Sequence, residues 1–350
     1  MTKGHPIRAV LASEFWAGAT ARGIVPGLRE AGWLIDEVDM RAHLSAAMTL
    51  AGRVEARLQH RTRISRFQHA ILRSARLHAA DVFITVKGSV VQPATIDALR
   101  AEGVFTVNYY PDYHFNDVPI ETVARYDLVA TTKSFQLGAL TAHMPAERVA
   151  FLHHGYSAEF HHPLAENAIK QDVDLLYIGN AGAEKAALLV AVAEALPDLR
   201  IRVVGGGWRK FARGTALEPA VVGHALSGDY FAAEVARARI NLAFHMGRDR
   251  ATGFADLVST RTFEIPACGG FMLHVDNDEV RSLFDVPGEI DTFVSPADLL
   301  EKIRYWLANP VEREAVAARG HARAVPAYSY VERGKALAQL VEQRLAASSR

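Results

Sequence analysis

The amino-acid sequence predicts an α/β protein with two doubly wound domains, one after the other. Apolar strand-like runs alternate with helical segments almost throughout the chain, a pattern typical of parallel sheets covered by helices. The alternation stops at 155–171, a polar stretch with Gly, Pro and no clear period, and then restarts. A length of 350 residues also favours two domains over one.

The domain boundaries follow from this pause. We predict an N-terminal domain over 1–155, a linker over 156–171, a C-terminal domain over 172–325 and a final helical segment over 326–350. Ligands bind at the carboxyl ends of the strands in open parallel sheets. Two such domains facing each other would form a central cleft, which is a preferred position for a ligand.

The N-terminal domain is predicted from six strand-like runs and the helices between them. The runs are 7–13, 33–40, 81–88, 104–110, 126–133 and 148–155. The first helix covers 19–32, with Gly32 as its C-cap. A long basic helix is expected over 52–79, and a further helix over 93–103 has Pro93 near its start.

The C-terminal domain repeats this pattern. Its strand-like runs are 173–180, 199–208, 220–223, 239–245 and 270–275. Its helical segments are 183–197, 228–238, the stretch beginning at Ser259, 295–324 as two helices divided at Asn309–Pro310, and 328–347.

Bulk composition excludes several classes of function. The 39 Lys and Arg residues balance 39 Asp and Glu residues, so no net field attracts nucleic acid. The single cysteine, Cys268, allows no internal disulfide, which fits a reducing compartment. No run approaches the ~18 apolar residues of a membrane-spanning helix, and the N-terminal apolar run is too short for a signal peptide. We therefore expect a cytoplasmic protein, and the Ala- and Arg-rich composition suggests a bacterial source.

The segment from 252 to 264 combines an anion site with carboxylates. Thr and Gly at 252–253 form a turn signal before a helical pattern, and the amides of a helix N-terminus bind phosphate. Arg261 and Glu264 share a face of that helix, and Asp256 lies eight residues before Glu264. The two carboxylates could accept hydrogen bonds from sugar hydroxyls. A structural ion pair between Arg261 and Glu264 explains the same residues equally well.

The motif "STRTFEIPACGGFML" at 259–273 resembles the C-terminal half of GT-B glycosyltransferases, especially the CgeB-like (spore maturation protein) group related to retaining family 4. It is similar to the Glu-x7-Glu element of that family. Glu264 matches the second glutamate, which binds the ribose hydroxyls of the nucleotide. Asp256 stands at the position of the first glutamate, which contacts the donor sugar, and is a departure from the pattern. Further similar segments, in matching order, cover roughly 126–340.

This resemblance implies an activity. It implies two Rossmann-like domains, the first on the acceptor side and the second on the donor side, with the final helix crossing back to the first. The enzyme would be a retaining, hexosyltransferase-like protein of glycan biosynthesis. It would use a nucleotide-diphosphate sugar, most often a UDP-sugar, without a metal or other cofactor.

The sequence leaves the partners open. The acceptor could be a glycan, a lipid-linked glycan, a protein or a small molecule, and the oligomeric state is not indicated. A sugar-nucleotide epimerase of the same fold, or a non-catalytic nucleotide-binding or scaffold protein, would fit the same architecture.

The donor-binding candidates lie at predicted strand ends and at the motif. Small residues at a strand end permit close approach to a ligand, and a basic residue in the next helix could neutralise the diphosphate, as in family 4 relatives. The glycines at 205–206 could cradle part of the nucleotide and the neighbouring Trp could pack on the base, although a core position explains that Trp as well. The set is Gly179, Asn180, Lys185, Gly205, Gly206, Trp208, Gly253, Phe254, Arg261, Thr262 and Glu264.

The predicted catalytic residues are Asp256 and two residues of the loop at 108–117, Asp112 and His114. That loop follows a predicted strand and is rich in polar and aromatic residues, although an ordinary Pro-containing turn explains it equally well. The four histidines between 153 and 162 lack metal-ligand spacing and are predicted not to bind zinc. "DND" at 276–278 is interpreted as a loop. The helix over 52–79 could face an anionic acceptor or lipid headgroups at the inner membrane face.

Overall fold

The structure, a computed structural model, describes residues 5–44, 59–165, 169–223, 229–245 and 256–348. It divides into two compact units. Unit 1 comprises residues 1–153 together with 330–350, and unit 2 comprises 154–329. Each unit contains a parallel sheet with helices between successive strands, which confirms the predicted α/β class.

Unit 1 is built on a six-stranded parallel sheet with the strand order β2-β1-β3-β4-β5-β6. The strands are β1 (Arg8–Ser13), β2 (Leu34–Asp39), β3 (Val82–Val86), β4 (Phe105–Tyr110), β5 (Leu128–Thr131) and β6 (Val149–Phe151). The helices are α1 (Thr20–Glu30), α2 (Met40–Leu44), α3 (His60–Leu77), α4 (Pro93–Ala101), α5 (Ile120–Val123) and α6 (Gln136–Thr141), with a short 3-10 turn at Ala146–Arg148.

Unit 2 is built on a five-stranded parallel sheet with the strand order β11-β10-β9-β7-β8. The strands are β7 (Val173–Ile178), β8 (Ile201–Val204), β9 (Ala238–Ala243), β10 (Met272–Val275) and β11 (Asp291–Phe293). The helices are α7 (Ala183–Ala195), α8 (Arg209–Ala212), α9 (Asp229–Arg237), α10 (Thr260–Ala267), α11 (Asp278–Leu283), α12 (Pro296–Ala308) and α13 (Pro310–Ala324), with a 3-10 turn at Glu218–Ala220.

The chain then returns to unit 1 through α14 (Tyr330–Ser348), which packs against α1. Glycines make this close packing possible. A Cβ at Gly27 would lie 1.9 Å from the carbonyl oxygen of Val331, and one at Gly334 would lie 2.2 Å from that of Ile24. Any side chain at these two positions would force the helices apart.

Both sheets are buried on both faces, which explains why their strands appear in the sequence as nearly continuous apolar runs. In β7, Leu175 and Tyr177 face a core formed with α7 and α12. The alternate residues Leu176 and Ile178 face a second core, to which α9 and α10 contribute. The burial of Glu264 in α10 follows from its place beside this second core.

The strand order identifies the ligand-binding edge of unit 2. β7 pairs with β8 on one side and with β9 on the other, so the direction of the connections reverses between β7 and β9. Open α/β sheets bind ligands at this reversal, outside the carboxyl ends of the strands. The loops that follow Ile178 and Ala243 therefore border the predicted crevice.

Several elements differ from those predicted. The helical segment beginning at Ser259 is not continuous with Asp256, because 256–259 is irregular and α10 begins at Thr260. "DND" is not simply a loop, because the side chain of Asn277 caps α11 by accepting from the amide of Val280 at 2.9 Å. The predicted strand at 220–223 is reduced to an isolated bridge, in which Val221 pairs with Val203. The strand β11 was not predicted.

One predicted helix extends beyond the described residues. The basic helix expected over 52–79 is seen as α3 from His60, and 45–58 lie outside the described part of the chain. Across the described helices, none combines the length and apolar character needed to cross a membrane.

Candidate functional site

The loops after β7 and β8 contact each other through their backbones. The amide of Gly179 donates to the carbonyl of Val204 at 2.9 Å, and the amide of Gly206 donates to Oδ1 of Asn180 at 3.2 Å. Gly205 has a φ of +146°, and a Cβ there would lie 2.1 Å from the carbonyl oxygen of Gly179. Glycine at 205 is therefore required for this loop pairing, and the side chain of Asn180 is used to hold the loop.

Trp208 does not form the predicted base-stacking surface. Its side chain is fully buried, and its indole N–H donates to the carbonyl of Gly179 at 2.7 Å. The ring packs edge-on against Tyr177 at a centroid distance of 5.5 Å. Trp208 is therefore a core residue, as the alternative interpretation of the sequence held. Its indole N–H holds the loop at Gly179 in place.

Lys185 lies in the first turn of α7 beside that loop. Its Nζ donates to the carbonyl of Asn180 at 3.3 Å and lies 5.9 Å from the centroid of the Tyr177 ring. Burial lowers the pKa of Lys185, while Asp256 opposes this effect and Arg261 adds to it. The structure thus brings Lys185, Asp256 and Arg261, all predicted site residues, into one electrostatic neighbourhood.

The start of α10 is fixed by a capping box. Ser259 is the N-cap, its Oγ accepts from the amide of Arg261 at 3.3 Å, and its own amide donates to Oγ1 of Thr262 at 3.2 Å. This arrangement satisfies amides that a helix leaves unpaired at its first turn. The helix therefore begins at Thr260, later in the chain than the turn signal at 252–253 indicated, and its cap already engages the amide of Arg261.

Thr262 is a support for α10 and not the ligand contact that the sequence predicted. Its side chain is fully buried, and its Oγ1 lies 2.9 Å from Nε2 of His274. Nδ1 of His274 lies 2.6 Å from the carbonyl of Val275, which can only accept, so Nδ1 carries the proton and Nε2 accepts from Thr262. Burial lowers the pKa of His274 to about 4. His245 follows β9, and its Nε2 lies 3.1 Å from Nε2 of His274.

Arg261 and Glu264 form an ion pair through Arg261 Nη1 and Glu264 Oε2. Arg261 also donates from Nε to the carbonyl of Ile178, the last residue of β7, at 3.0 Å. Its guanidinium lies 4.9 Å from the centroid of the Phe231 ring. Arg261 thereby ties the first turn of α10 to the carboxyl end of β7.

Glu264 keeps one carboxylate oxygen open. Its side chain is 9% exposed, and Nε2 of His161 lies 3.7 Å from Oε1. Arg261 bonds to Oε2, and within the described part of the chain Oε1 accepts no hydrogen bond. A carboxylate oxygen that is nearly buried and still lacks a donor is suited to a ligand hydroxyl.

Unit 1 carries a separate polar group at the carboxyl edge of its own sheet. Lys87 follows β3, and its Nζ lies 2.6 Å from the carboxylates of both Asp112 and Asp117. Burial acts to lower the pKa of Lys87, but the hydrogen bonds to these two carboxylates raise it overall. His114 follows in the same loop, and its backbone carbonyl accepts from the hydroxyl of Tyr110 at 2.6 Å.

Gly253 and Phe254 lie outside the described residues. The described ranges contain no group of three His, Cys, Asp or Glu side chains placed to hold a metal ion. Burial raises the pKa of the Cys268 thiol, so this residue is not a ready nucleophile.

A cavity of about 780 Å³ lies at the opposite edge of the unit 2 sheet. Its lining includes Ala238 at the start of β9 and Phe271 just before β10. These residues mark the amino ends of the strands. The cavity is therefore separate from the candidate site at the carboxyl ends.

Comparison with known proteins gives the class of the enzyme. Residues 185–339 match the family described as glycosyl transferase-like. A sucrose-phosphate synthase from Thermosynechococcus elongatus has a similar structure, with a TM-score of 0.70 and 15% identity over 97% of this chain and 100% of that chain. The match over 185–339 and the shared GT-B fold support a glycosyltransferase.

Further structures agree with this fold. HepE from Anabaena, solved in complex with UDP, is 10% identical over 96% of the glycosyltransferase and 100% of its own chain, with a TM-score of 0.63. A UDP-GlcNAc 2-epimerase from Neisseria meningitidis, solved with UDP-GlcNAc, is 11% identical over 97% and 100% of the two chains, with a TM-score of 0.53. A comparison with curated protein sequences finds no match.

Four polar residues of the glycosyltransferase were missed by the sequence analysis: Lys87, His161, His245 and His274. Three of them carried a usable signal. Lys87 directly follows β3, His245 is the second residue after β9, and His274 lies within a predicted strand. A polar residue at or near the end of a strand was therefore the signal that could have identified them. No local pattern indicated His161, because its approach to Glu264 depends on tertiary packing.

Proposed function

We propose that the protein transfers a sugar from a UDP-sugar, or a related nucleotide-diphosphate sugar, to an acceptor hydroxyl. The observation that carries this proposal is the open oxygen of Glu264 beside two cations at the switch crevice of unit 2. Lys185 and Arg261 supply the charge, and Glu264 supplies an acceptor for a ribose hydroxyl. Structures bound to UDP and UDP-sugars among the relatives in fold support the choice of nucleotide.

The proposed chemistry is stabilisation of the leaving diphosphate. Negative charge grows on the diphosphate as the glycosidic bond breaks, and preorganised cations and amide dipoles lower the energy of that state. Lys185 and Arg261 are the groups that we assign to this role, together with the positive end of the α10 dipole. We propose that they act without a metal ion. Retention of configuration and membership of the CgeB-like group rest on the motif at 259–273.

The remaining site residues have proposed roles as well. We assign the donor side to unit 2, with Gly179, Gly205, Gly206, Gly253 and Phe254 near the nucleotide sugar. Asp256 would contact the transferred sugar. Unit 1 would bind the acceptor, with Asp112 and His114 in the loop after β4. The acceptor is a glycan, a lipid-linked glycan, a protein or a small molecule, and the process is glycan biosynthesis in a bacterium.

A thermal-shift panel of UDP-, GDP-, dTDP- and ADP-sugars tests the proposed donor. A ligand that binds the folded protein at about 100 times its Kd adds about 2.7 kcal/mol of stability, which is readily detected as a rise in Tm. We expect UDP-sugars to give the largest rise. A panel in which no nucleotide sugar raises the Tm would contradict the proposal.

An epimerase is the second candidate function, favoured by the fold of the 2-epimerase from Neisseria meningitidis. The two functions differ in their products. An epimerase would convert the donor sugar without any acceptor, whereas a transferase releases the nucleoside diphosphate. Chromatography of a UDP-sugar after incubation with the protein alone separates these outcomes.

We also propose that the protein is cytoplasmic and contacts the inner membrane face through α3. This helix carries five arginines and no acidic residue, and its exposed face includes Arg61, Arg66 and Arg73. None of these three has an ion pair within the described residues. Such a basic face complements anionic lipid headgroups.

Vesicle sedimentation tests this membrane contact. The double variant R66S/R73S should bind less to vesicles of phosphatidylglycerol and phosphatidylcholine, by about 30-fold if each residue contributes about 1 kcal/mol. The matched control is R213S/R304S, which removes the same charge from exposed positions of unit 2. Equal binding of the two double variants would contradict a role for α3.

A further inference from the structure

His161 lies in unit 2, in a run of histidines that carried no predicted site residue. Its side chain is 9% exposed and packs edge-on against Phe231 at a centroid distance of 4.9 Å. Its Nδ1 accepts from the backbone amide of Ser157 at 3.0 Å. Since Nδ1 is the acceptor, the neutral ring carries its proton on Nε2.

The nitrogen that carries this proton lies near the carboxylate of Glu264. Nε2 of His161 lies 3.7 Å from Oε1 of Glu264, which is too long for a direct hydrogen bond. A hydroxyl oxygen can lie about 2.8 Å from each of two polar atoms at this separation. The pair therefore presents one donor and one acceptor to a single hydroxyl group.

Both members of the pair are held in place independently. Ser157 fixes the His161 ring, and Arg261 fixes the second oxygen of Glu264. Phe231 is a shared support, because the Arg261 guanidinium and the His161 ring each lie 4.9 Å from its centroid. Such preorganisation reduces the entropy that a ligand loses on binding.

We propose that His161 is a ribose-binding residue that acts together with Glu264. Its Nε2–H donates to one ribose hydroxyl, and the same hydroxyl donates its proton to Oε1 of Glu264. The inference rests on the proposed nucleotide-sugar function. It predicts a requirement for a group that both accepts and donates, so ribonucleotides are selected over deoxy and O-methyl analogues.

Calorimetric titration tests this with UDP, 2′-deoxy-UDP, 3′-deoxy-UDP and the matching O-methyl ethers. For the wild type, one deoxy analogue should bind about 10- to 100-fold more weakly than UDP, because hydrogen bonds to charged groups are worth about 1.5–3 kcal/mol. The O-methyl ether at the same position should bind as weakly as the deoxy analogue. An ether that binds as tightly as UDP would overturn the inference without needing any variant.

Variants of His161 separate the hydroxyl contact from local folding. His161→Asn keeps an acceptor for the Ser157 amide and removes the Nε2–H donor, and should weaken UDP binding by about 10-fold. It should leave the affinity for the discriminating deoxy analogue unchanged. His161→Gln places an N–H near the Nε2 position and should restore part of the preference for UDP. His162→Asn is the matched control at the exposed neighbouring position and should bind UDP as the wild type does.

Three results decide between the claims. Equal weakening of UDP and the deoxy analogue by His161→Asn would indicate a purely structural role and overturn the inference. Wild-type UDP affinity in His161→Asn would overturn it too, while the donor proposal stands. No binding of UDP or UDP-sugars to the wild type would overturn the donor proposal, and this inference with it.

Discussion

The carboxyl edges of the two sheets have related strand orders and differ in the partners of their charged side chains. In unit 1, Lys87 is 2.6 Å from each of two carboxylates, so its charge is satisfied within the protein. In unit 2, Lys185 has no ion pair in the described structure and donates to a carbonyl at 3.3 Å, while Glu264 keeps an oxygen without a donor. The Lys87 cluster of unit 1 is thus closed by ion pairs, whereas the Arg261–Glu264 cluster of unit 2 keeps a carboxylate oxygen that can accept from a ligand.

The largest effect is expected from the unpaired cation of unit 2. Lys185→Met should lower kcat for sugar transfer by about 10²- to 10³-fold, because the loss of one preorganised group facing the leaving charge has this magnitude. Steady-state release of UDP from the donor measures it. If Lys185 contributes only to ground-state binding, KM will rise with kcat unchanged.

Lys210→Met is the matched control, since Lys210 is an exposed lysine of the same unit. It should leave kcat unchanged. A similar loss of kcat in both variants would mean that activity depends on the total charge of unit 2. That result would contradict a specific role for Lys185.

A second expected effect concerns the stability of the α10 support. The pKa of His274 falls from 6.5 to about 4 on folding, so its contribution to stability is complete above pH 6.5 and is lost as the pH drops toward 4. The full contribution is on the order of 3 kcal/mol. Urea unfolding between pH 7.5 and pH 4.5 should show a shallower loss of stability in His274→Gln than in the wild type.

His153 in unit 1 provides the comparison, because its pKa is also lowered to about 4, by burial and by the charges of Arg333 and Lys133. His153→Gln should likewise flatten the pH dependence of stability. Only His274→Gln should also weaken UDP binding, because His274 bonds to Thr262 under the first turn of α10. Equal UDP affinities for the two variants would show that this support is not needed by the site.

The smallest effect is expected from the paired edge of unit 1. Lys87→Met should change the free energy of unfolding by about 1 kcal/mol or less, because partly exposed ion pairs contribute little. It should leave the affinity for UDP unchanged and act on the acceptor step, seen as an altered KM for acceptor. If Lys87→Met lowered the affinity for UDP as much as a variant of unit 2 does, the proposed assignment of UDP to unit 2 would be contradicted.

The sequence was sufficient to predict the fold and to name part of the candidate site. The strands that border the crevice were predicted at 173–180 and 239–245, because buried parallel strands are continuous apolar runs. Lys185, Arg261 and Glu264 could be named because each lies at a fixed distance in sequence from a strand end or a motif. The helical stretch beginning at Ser259 was predicted, but its capping box was not, although Ser259 and Thr262 carry the spacing of one.

Other features depended on tertiary structure. Trp208 is buried because the loops after β7 and β8 pack together, and the neighbouring glycines in the sequence do not indicate this packing. The tautomers of His161 and His274 depend on single carbonyl or amide partners. The approach of His161 to Glu264 joins residues far apart in the chain, so no local pattern contained it.

The central claim is that the unpaired edge of unit 2 binds the nucleotide of the donor through Glu264. Calorimetric titration of UDP into Glu264→Ala tests it most directly, with Glu301→Ala, an exposed glutamate of α12, as the control. We predict a Kd raised by about 10- to 100-fold in Glu264→Ala, as expected for a lost hydrogen bond to a charged group, and an unchanged Kd in Glu301→Ala. A folded Glu264→Ala variant that binds UDP as tightly as the wild type would contradict the claim.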